Sequence, residues 1–312
     1  MKKARRKPLG DARISCMAAA TLCGLITFPA LAEVEQDLTL SGFAGIEYDD
    51  NVNVIVIDEA TRLGDYAAVF GAGLKYDVDF NKDTSVSASY TFRQSELFEF
   101  SQFDLQLHGT NLTVTQDLGR VSIGGSHQFF LSQLGERELL TLNRFSPFLT
   151  YAPSKKVFLR GAYTYKSKDL VDFSERDSDT HAGDILAFYF LDGTDTFLTG
   201  AYRYEDEDAT ADEFDFEAHI VRVGLDTRLP VGIEKNRFEI DLEYEDRDYS
   251  SFSPTIGEIR DDERFTLDVS WEIPFGRYFN LTSLYTYRDF KSNFPGANFE
   301  ENVFRMTIGV EY

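Results

Sequence analysis

From Val303 to Tyr312 the chain alternates strictly: Phe304, Met306, Ile308, Val310 and Tyr312 take every second position, and Arg305, Thr307, Gly309 and Glu311 fill the gaps. Successive side chains of an extended strand point to opposite faces, so this segment has one wholly apolar face and one polar face. Such a strand separates two different solvents, and the chain closes on the aromatic end of its apolar row.

The pattern recurs from end to end. Val86, Ala88, Tyr90 and Phe92 oppose Ser85, Ser87, Ser89 and Thr91, and Phe265, Leu267, Val269, Trp271 and Ile273 oppose Arg264, Thr266, Asp268, Ser270 and Glu272. About fourteen such segments are expected, near residues 37–48, 66–80, 84–96, 103–116, 120–131, 139–151, 156–167, 182–191, 195–205, 216–229, 235–246, 263–273, 277–288 and 300–312. Each is close to the roughly ten residues that a tilted strand needs to cross a bilayer. Three are imperfect: 103–116 slips near Gly109, 139–151 contains Pro147, and 182–191 is apolar on both faces. A proline removes a ladder hydrogen bond, so a bulge or a rim position is expected at Pro147.

Short connections such as Asn81-Lys82-Asp83, Asp117-Leu118-Gly119, Asp192-Gly193-Thr194 and Pro274-Phe275-Gly276 have tight-turn compositions. They alternate with long ones, the first connection being long. Segments leading into long connections end in aromatics on the apolar face: Tyr48, Tyr90 with Phe92, Phe129, Tyr163 with Tyr165, Tyr202 with Tyr204, Tyr244, and Tyr285 with Tyr287. Girdle and alternation together give an all-β, transmembrane, antiparallel up-and-down β-barrel, with both termini periplasmic and the long loops outside.

The N-terminus fits that destination. Lys2, Lys3, Arg5, Arg6, Lys7 and Arg13 form a basic stretch, Ile14 to Phe28 an apolar core, and Ala30-Leu31-Ala32 a small-x-small cleavage pattern. Residues 1–32 therefore read as a secretory leader and 33–312 as the bacterial outer-membrane domain. Cys16 and Cys23, the two cysteines of the chain, both lie in the leader, which excludes disulfides and thiolate chemistry from the mature protein. Cleavage removes six basic residues and one acidic one, taking the formal charge from −22 to −27. So acidic a chain repels phosphate, and nucleic acid is excluded as a partner. The mean hydropathy of −0.29 fits a barrel wall, which averages to near neutral.

No catalytic constellation emerges. His108, His127, His181 and His219 lack metal-pair spacing, and Ser126 and His127, adjacent on a strand, face opposite sides. His127 should face lipid near the girdle. The run Glu205-Asp206-Glu207-Asp208 lacks the spacing and glycine of a calcium loop and reads as a solvated, self-repelling loop. No enzyme activity, cofactor or metal is expected. The polar face should line a lumen carrying Arg222, Arg237, Glu239, Asp241, Glu243, Glu245, Arg264, Asp268, Glu272 and Arg305. A symmetric hairpin would set Arg264 opposite Glu245 and Glu272 opposite Arg237, a stabilising cross-strand arrangement. The excess acid should then sit in the outer loops, giving a weak cation preference.

The closing row Phe304, Met306, Ile308, Val310, Tyr312 resembles the assembly signal of outer-membrane barrels, which implies the barrel assembly machinery as a partner beside lipid and lipopolysaccharide. Tyr48-Asp49-Asp50-Asn51-Val52-Asn53, Asp246-Arg247-Asp248, Arg260-Asp261-Asp262 and Tyr285-x-Tyr287-Arg288-Asp289 together resemble the fourteen-stranded barrel of the surface lipoprotein assembly modifier family, and more loosely the outer-membrane porins of polysaccharide clusters. The first resemblance implies a translocation pore that exports surface proteins or envelope material with a periplasmic or lipoprotein client. The family's periplasmic repeat domain is not expected here, since the first strand follows the cleavage site within a few residues. A passive diffusion porin for small solutes is the alternative.

Overall fold

A computed structural model describes residues 35–231 and 235–312; the leader expected over 1–32 and residues 232–234 of one short connection lie outside them. Fourteen long strands among the described residues form one closed antiparallel barrel in which each pairs with its neighbours in sequence. They are β1 (Glu35–Asp49), β2 (Asp65–Asn81), β3 (Thr84–Leu97), β4 (Leu105–Asp117), β5 (Val121–Leu134), β6 (Arg137–Ser154) and β7 (Val157–Leu170). The circuit continues with β8 (Ser178–Asp192), β9 (Thr196–Ala209), β10 (Phe216–Leu229), β11 (Asn236–Ser253), β12 (Glu258–Phe275), β13 (Phe279–Ser292) and β14 (Phe299–Glu311). All fourteen expected segments are strands. At about 4.8 Å per strand and a tilt of about 40°, the backbone cylinder is roughly 28 Å across.

Closure joins β1 to β14, from Ser41 opposite Glu311 to Asp49 opposite Val303. Leu40 and Tyr312 exchange backbone hydrogen bonds of 2.8 and 2.9 Å, and the Tyr312 ring lies 5.5 Å from that of Tyr278. Closure leaves no exposed sheet edge, a requirement for backbone crossing lipid. At the short turns Gly119 (φ +95°) and Gly276 (φ +71°) adopt left-handed backbone that side chains disfavour.

Three expectations need correction. Pro147 lies mid-strand with no bulge: Gly125 stays opposite it on β5, while pairing to β7 skips from Phe145–Tyr165 to Phe148–Ala162 without changing register. A side-chain bond between Ser146 Oγ and Thr164 Oγ1, 2.9 Å, bridges that gap. The register shifts of β6 fall instead between Ser132 and Gln133 of its β5 partner and, toward its end, between Tyr151 and Ser154 against β7. Nor does β4 slip at Gly109, its pairing being continuous on both sides; what changes there is which face is apolar, because Leu105 and Leu107 point inward with Ser95 and Arg93. Finally, Glu205 to Asp208 belong to β9 rather than to a loop. Strands of up to 18 residues overshoot the bilayer, so alternation continues above it and sends Glu205 and Glu207 inward.

The molecule has a packed interior in the outer part of the barrel. Val52, Val54, Val69, Leu139, Ala218, Ile220 and Val303 are buried there, with Phe216 against Tyr249 at 5.4 Å. The source of that burial is the connection between β1 and β2, which turns inward rather than outward.

Candidate conduction pathway

The β1–β2 connection enters the mouth through a two-residue ladder, Asn53–Val54 with Glu59–Ala60, around a single helical turn at Ile55–Ile57. Asn51 and Asn53 anchor it to β14 through the Glu300 carbonyl (2.9 Å) and Glu301 Oε1 (2.6 Å). Asp58, in left-handed backbone at φ 54°, reaches the other side. Its carboxylate accepts from Arg260 Nη1 (2.7 Å) and Nη2 (2.9 Å) on β12 and from Arg176 Nη1 (2.7 Å) between β7 and β8. Burial alone would raise this carboxyl, but Arg260 and Arg176 outweigh it and hold it at about 2. Arg260 is held in turn by Asp262 (2.8 Å) and by the faces of Tyr249 and Phe294. The segment lies across the mouth like a strap, and Ile55 and Val56 border a cavity on either side of it.

Below the strap, a cavity of about 710 Å³ runs along β11–β14, β1 and β3–β6, lined by Glu47, Glu239, Asp241, Asp268, Arg288 and Arg305 among others. A second, of about 390 Å³, lies against β5–β11 and is lined by Arg144, Arg160, Arg203 and Arg222, with Asp184 and Asp241. Acidic groups therefore concentrate on one wall and arginines on the other, with Asp241 touching both spaces.

Of the sequence-assigned lumen residues, Arg222, Glu239, Asp241, Asp268 and Arg305 line these two cavities, and Arg264 lines the space on the other side of the strap. Arg264 is opposite Glu245 and Arg237 opposite Glu272, in the register that a symmetric hairpin requires. Their ion pairs go elsewhere. Arg264 bonds Asp262 at 2.9 Å and Glu245 pairs with Arg247, while Arg237 forks onto Asp226 (2.9 and 2.6 Å) and reaches Glu239. Long arginine stems lean along a strand or onto the next one as readily as they reach straight across. Arg222 pairs with Glu243, its cross-strand neighbour, and Arg305 with Glu47. Asp241 faces Asp268 directly, a like-charge pair. The closing row Phe304, Met306, Ile308 and Val310 is exposed on the outer surface. Glu205 and Glu207 are bonded to Lys166 (2.9 Å) and Lys168 (2.6 Å), which removes them from the free acid of the mouth.

Sequence reading missed a device built into three hairpins. Tyr90, Tyr163 and Tyr202 bond the Nδ1 of His108 (2.7 Å), His181 (2.5 Å) and His219 (2.8 Å), and each imidazole lies against a second ring two residues on: Phe92, Tyr165 or Tyr204. Four residues before each histidine, Asp104, Asp177 or Asp215 accepts a backbone N–H from the end of the preceding strand: Leu97, Leu170 or Ala209. A fourth hairpin keeps the plan with asparagines, Tyr285 bonding Asn302 while Asn298 accepts from Ser292. The signal was present as Tyr-x-aromatic followed by Asp-x-x-x-His, split by a loop. The tyrosine hydroxyls and imidazoles satisfy one another on the girdle, where amphipathic rings belong.

No protein-family model matches the chain, and no curated protein matches it. Solved structures do. An anion-selective porin from Comamonas acidovorans superposes with a TM-score of 0.52 at 9% identity, covering 90% of this chain and all of that one. The outer-membrane-expressed OmpT of Vibrio cholerae gives 0.53 at 9% identity, covering 91% and 99%. The chain has the fold of an outer-membrane β-barrel. At such identity the likeness speaks for the fold, and it does not show the resemblance to the lipoprotein assembly modifiers.

Proposed function

We propose that this protein is a passive diffusion channel of the outer membrane for small polar solutes, narrowed at its outer mouth by the β1–β2 strap. The observation that carries the reading is the polar interior of about 710 Å³ beneath the strap, walled by charged groups from six strands instead of a packed core. Export of surface proteins or envelope polymers with a periplasmic or lipoprotein client fits less well. The strap crosses the space such cargo would need and is held there by buried ion pairs. In this reading both termini are periplasmic, lipid and lipopolysaccharide meet the girdle, and the assembly machinery reads the row ending at Tyr312. Purified barrel in planar bilayers should conduct in discrete steps, and liposomes containing it should swell in small sugars faster than in large ones. If neither the native barrel nor an Asp58→Asn barrel conducts, the channel reading fails.

A further inference from the structure

The inner face of β6–β9 is layered. Nearest the short turns lies an aromatic layer of Phe148, Phe158, Phe188, Phe190 and Phe197, each half-buried, with ring centroids 5.8 Å apart for Phe158–Phe188 and for Phe190–Phe197 and 5.9 Å for Phe188–Phe197. This explains why the β8 segment is apolar on both faces. One step further in stands Arg160, its guanidinium 4.4 Å above the Phe148 ring and its cross-strand neighbour Leu186. Small residues follow, Ser146, Ala162 and Ala201, and leave the cavity of about 390 Å³. Arg144 and Arg203 close it at the far side.

The charge here is unbalanced. Asp184 is engaged by Arg203 at 2.5 Å and accepts from Thr164 Oγ1 at 3.3 Å. Among the described residues neither Arg144 nor Arg160 has a carboxylate within 4.0 Å, and the buried Nε of Arg144 has no hydrogen-bond partner. An orphaned donor on a desolvated cation is costly, and an anion removes the cost. A phenylalanine layer facing an aqueous lumen is unfavourable too, unless something apolar covers it. The two needs adjoin, since Arg160 touches the aromatic layer and lines the cavity.

We propose that this wall is a binding subsite for amphipathic organic anions: a carboxylate between Arg144 and Arg160, with an aromatic ring or short acyl chain lying on Leu186 and Phe188. The inference deepens the channel reading and rests on it for the route by which the ligand arrives. Planar guanidinium groups suit a carboxylate because both its oxygens can accept.

The test is calorimetric titration of the full barrel, refolded in detergent, with phenylpropionate, its uncharged amide phenylpropionamide, and acetate. Phenylpropionate should bind, and the amide and acetate should each bind about tenfold more weakly, one lacking the charge and the other the ring. Arg144→Met, Arg160→Met and Phe188→Ser should each weaken phenylpropionate by about tenfold while keeping the heat-modifiable mobility of a folded barrel. Equal affinity for acid and amide, or absence of binding to the native barrel, overturns the proposal without recourse to any variant. Unchanged affinity in both arginine variants overturns it as well. Binding by a barrel that does not conduct leaves the subsite standing and removes the channel; conductance without binding does the reverse.

Discussion

The Asp58 carboxylate grips the Arg260 guanidinium with both oxygens, at 2.7 and 2.9 Å, across 202 residues of sequence. The contact ties a loop from the first hairpin to the twelfth strand and so fixes the width of the mouth. A two-pronged, charge-assisted contact is worth about 1.5–3 kcal/mol per bond in a shielded site. Asp58→Asn should therefore raise the population of the unstrapped mouth by roughly ten- to a hundredfold. Single-channel recording would show larger or longer openings, and trypsin should cut faster after Arg62, whose side chain is already exposed but whose backbone the strap holds in place. Unchanged conductance and protection would mean that the other strap contacts suffice.

The same pair sets a pH response of definite sign. The Asp58 carboxyl is lowered from 3.8 to about 2. A depressed carboxyl stabilises the state in which it is depressed, fully above 3.8 and progressively less as pH falls toward 2. The part of the conductance that depends on this contact should hence rise only below about pH 4, and Asp58→Asn should remove that acid rise. An acid rise that persists unchanged in Asp58→Asn would place control elsewhere.

Gly296 packs where a Cβ would sit 2.1 Å from the Asp58 carbonyl oxygen. Neither atom belongs to a flexible side chain, so Gly296→Ala must displace the strap or the β13–β14 loop. Its conductance should resemble that of Asp58→Asn at neutral pH, with an intact barrel by heat-modifiable mobility. A variant with native conductance and native tryptic protection would show that the loop gives way instead.

Strand number, faces and register were legible because they depend on local alternation, which a closed sheet between lipid and water enforces residue by residue. Arg264 opposite Glu245 could be placed for that reason. Partner choice was not legible: Arg264 turns to Asp262, and that depends on Arg247 having taken Glu245. The strap was also out of reach, because nothing in Asn51 to Gly64 specifies Arg176 and Arg260 as partners far along the chain. The acidic run at 205–208 misled by composition. Its alternation is that of β9, and its inward members meet lysines from β7.

The two faces of β12 can be separated by one substitution. Val269 lies between Ile240 and Tyr285 on the apolar face, whereas Ser270 lines the large cavity. Val269→Arg should cost about 2–4 kcal/mol near the midplane and Leu242→Arg a similar amount, with Ser270→Arg mild. Folding titrations into lipid vesicles measure this, and equal costs at Val269 and Ser270 would contradict the assignment of faces.

Tyr312 completes the apolar row of the last strand, and its backbone closes the seam with Leu40. Tyr312→Asp keeps those backbone bonds and changes only what the row presents at its end. Folded barrel in the outer membrane should fall while periplasmic precursor accumulates. A variant that reaches the membrane as well as the native protein would remove Tyr312 from the assembly signal.

Ion selectivity should reside deeper than the outer loops. Several acids of the mouth are paired: Asp58 with Arg260, Asp262 with Arg264, Glu205 with Lys166 and Glu207 with Lys168. Paired charges contribute little field beyond a few ångströms. Asp241 and Asp268, by contrast, face each other on the cavity wall, and among the described residues neither has a cationic partner within 4.0 Å. Two like charges in cross-strand contact repel, and an entering cation relieves that repulsion. The double variant Asp241→Asn/Asp268→Asn should therefore abolish a weak cation preference, and neutralising Asp212 and Glu213 in the β9–β10 loop should do so less. Screening separates the sites further: at 1 M salt the Debye length is about 3 Å, so a loop contribution vanishes while a wall contribution partly survives. Reversal potentials under a salt gradient, measured for both variants at low and high salt, decide between them, and a larger loss from the loop variant would return selectivity to the mouth.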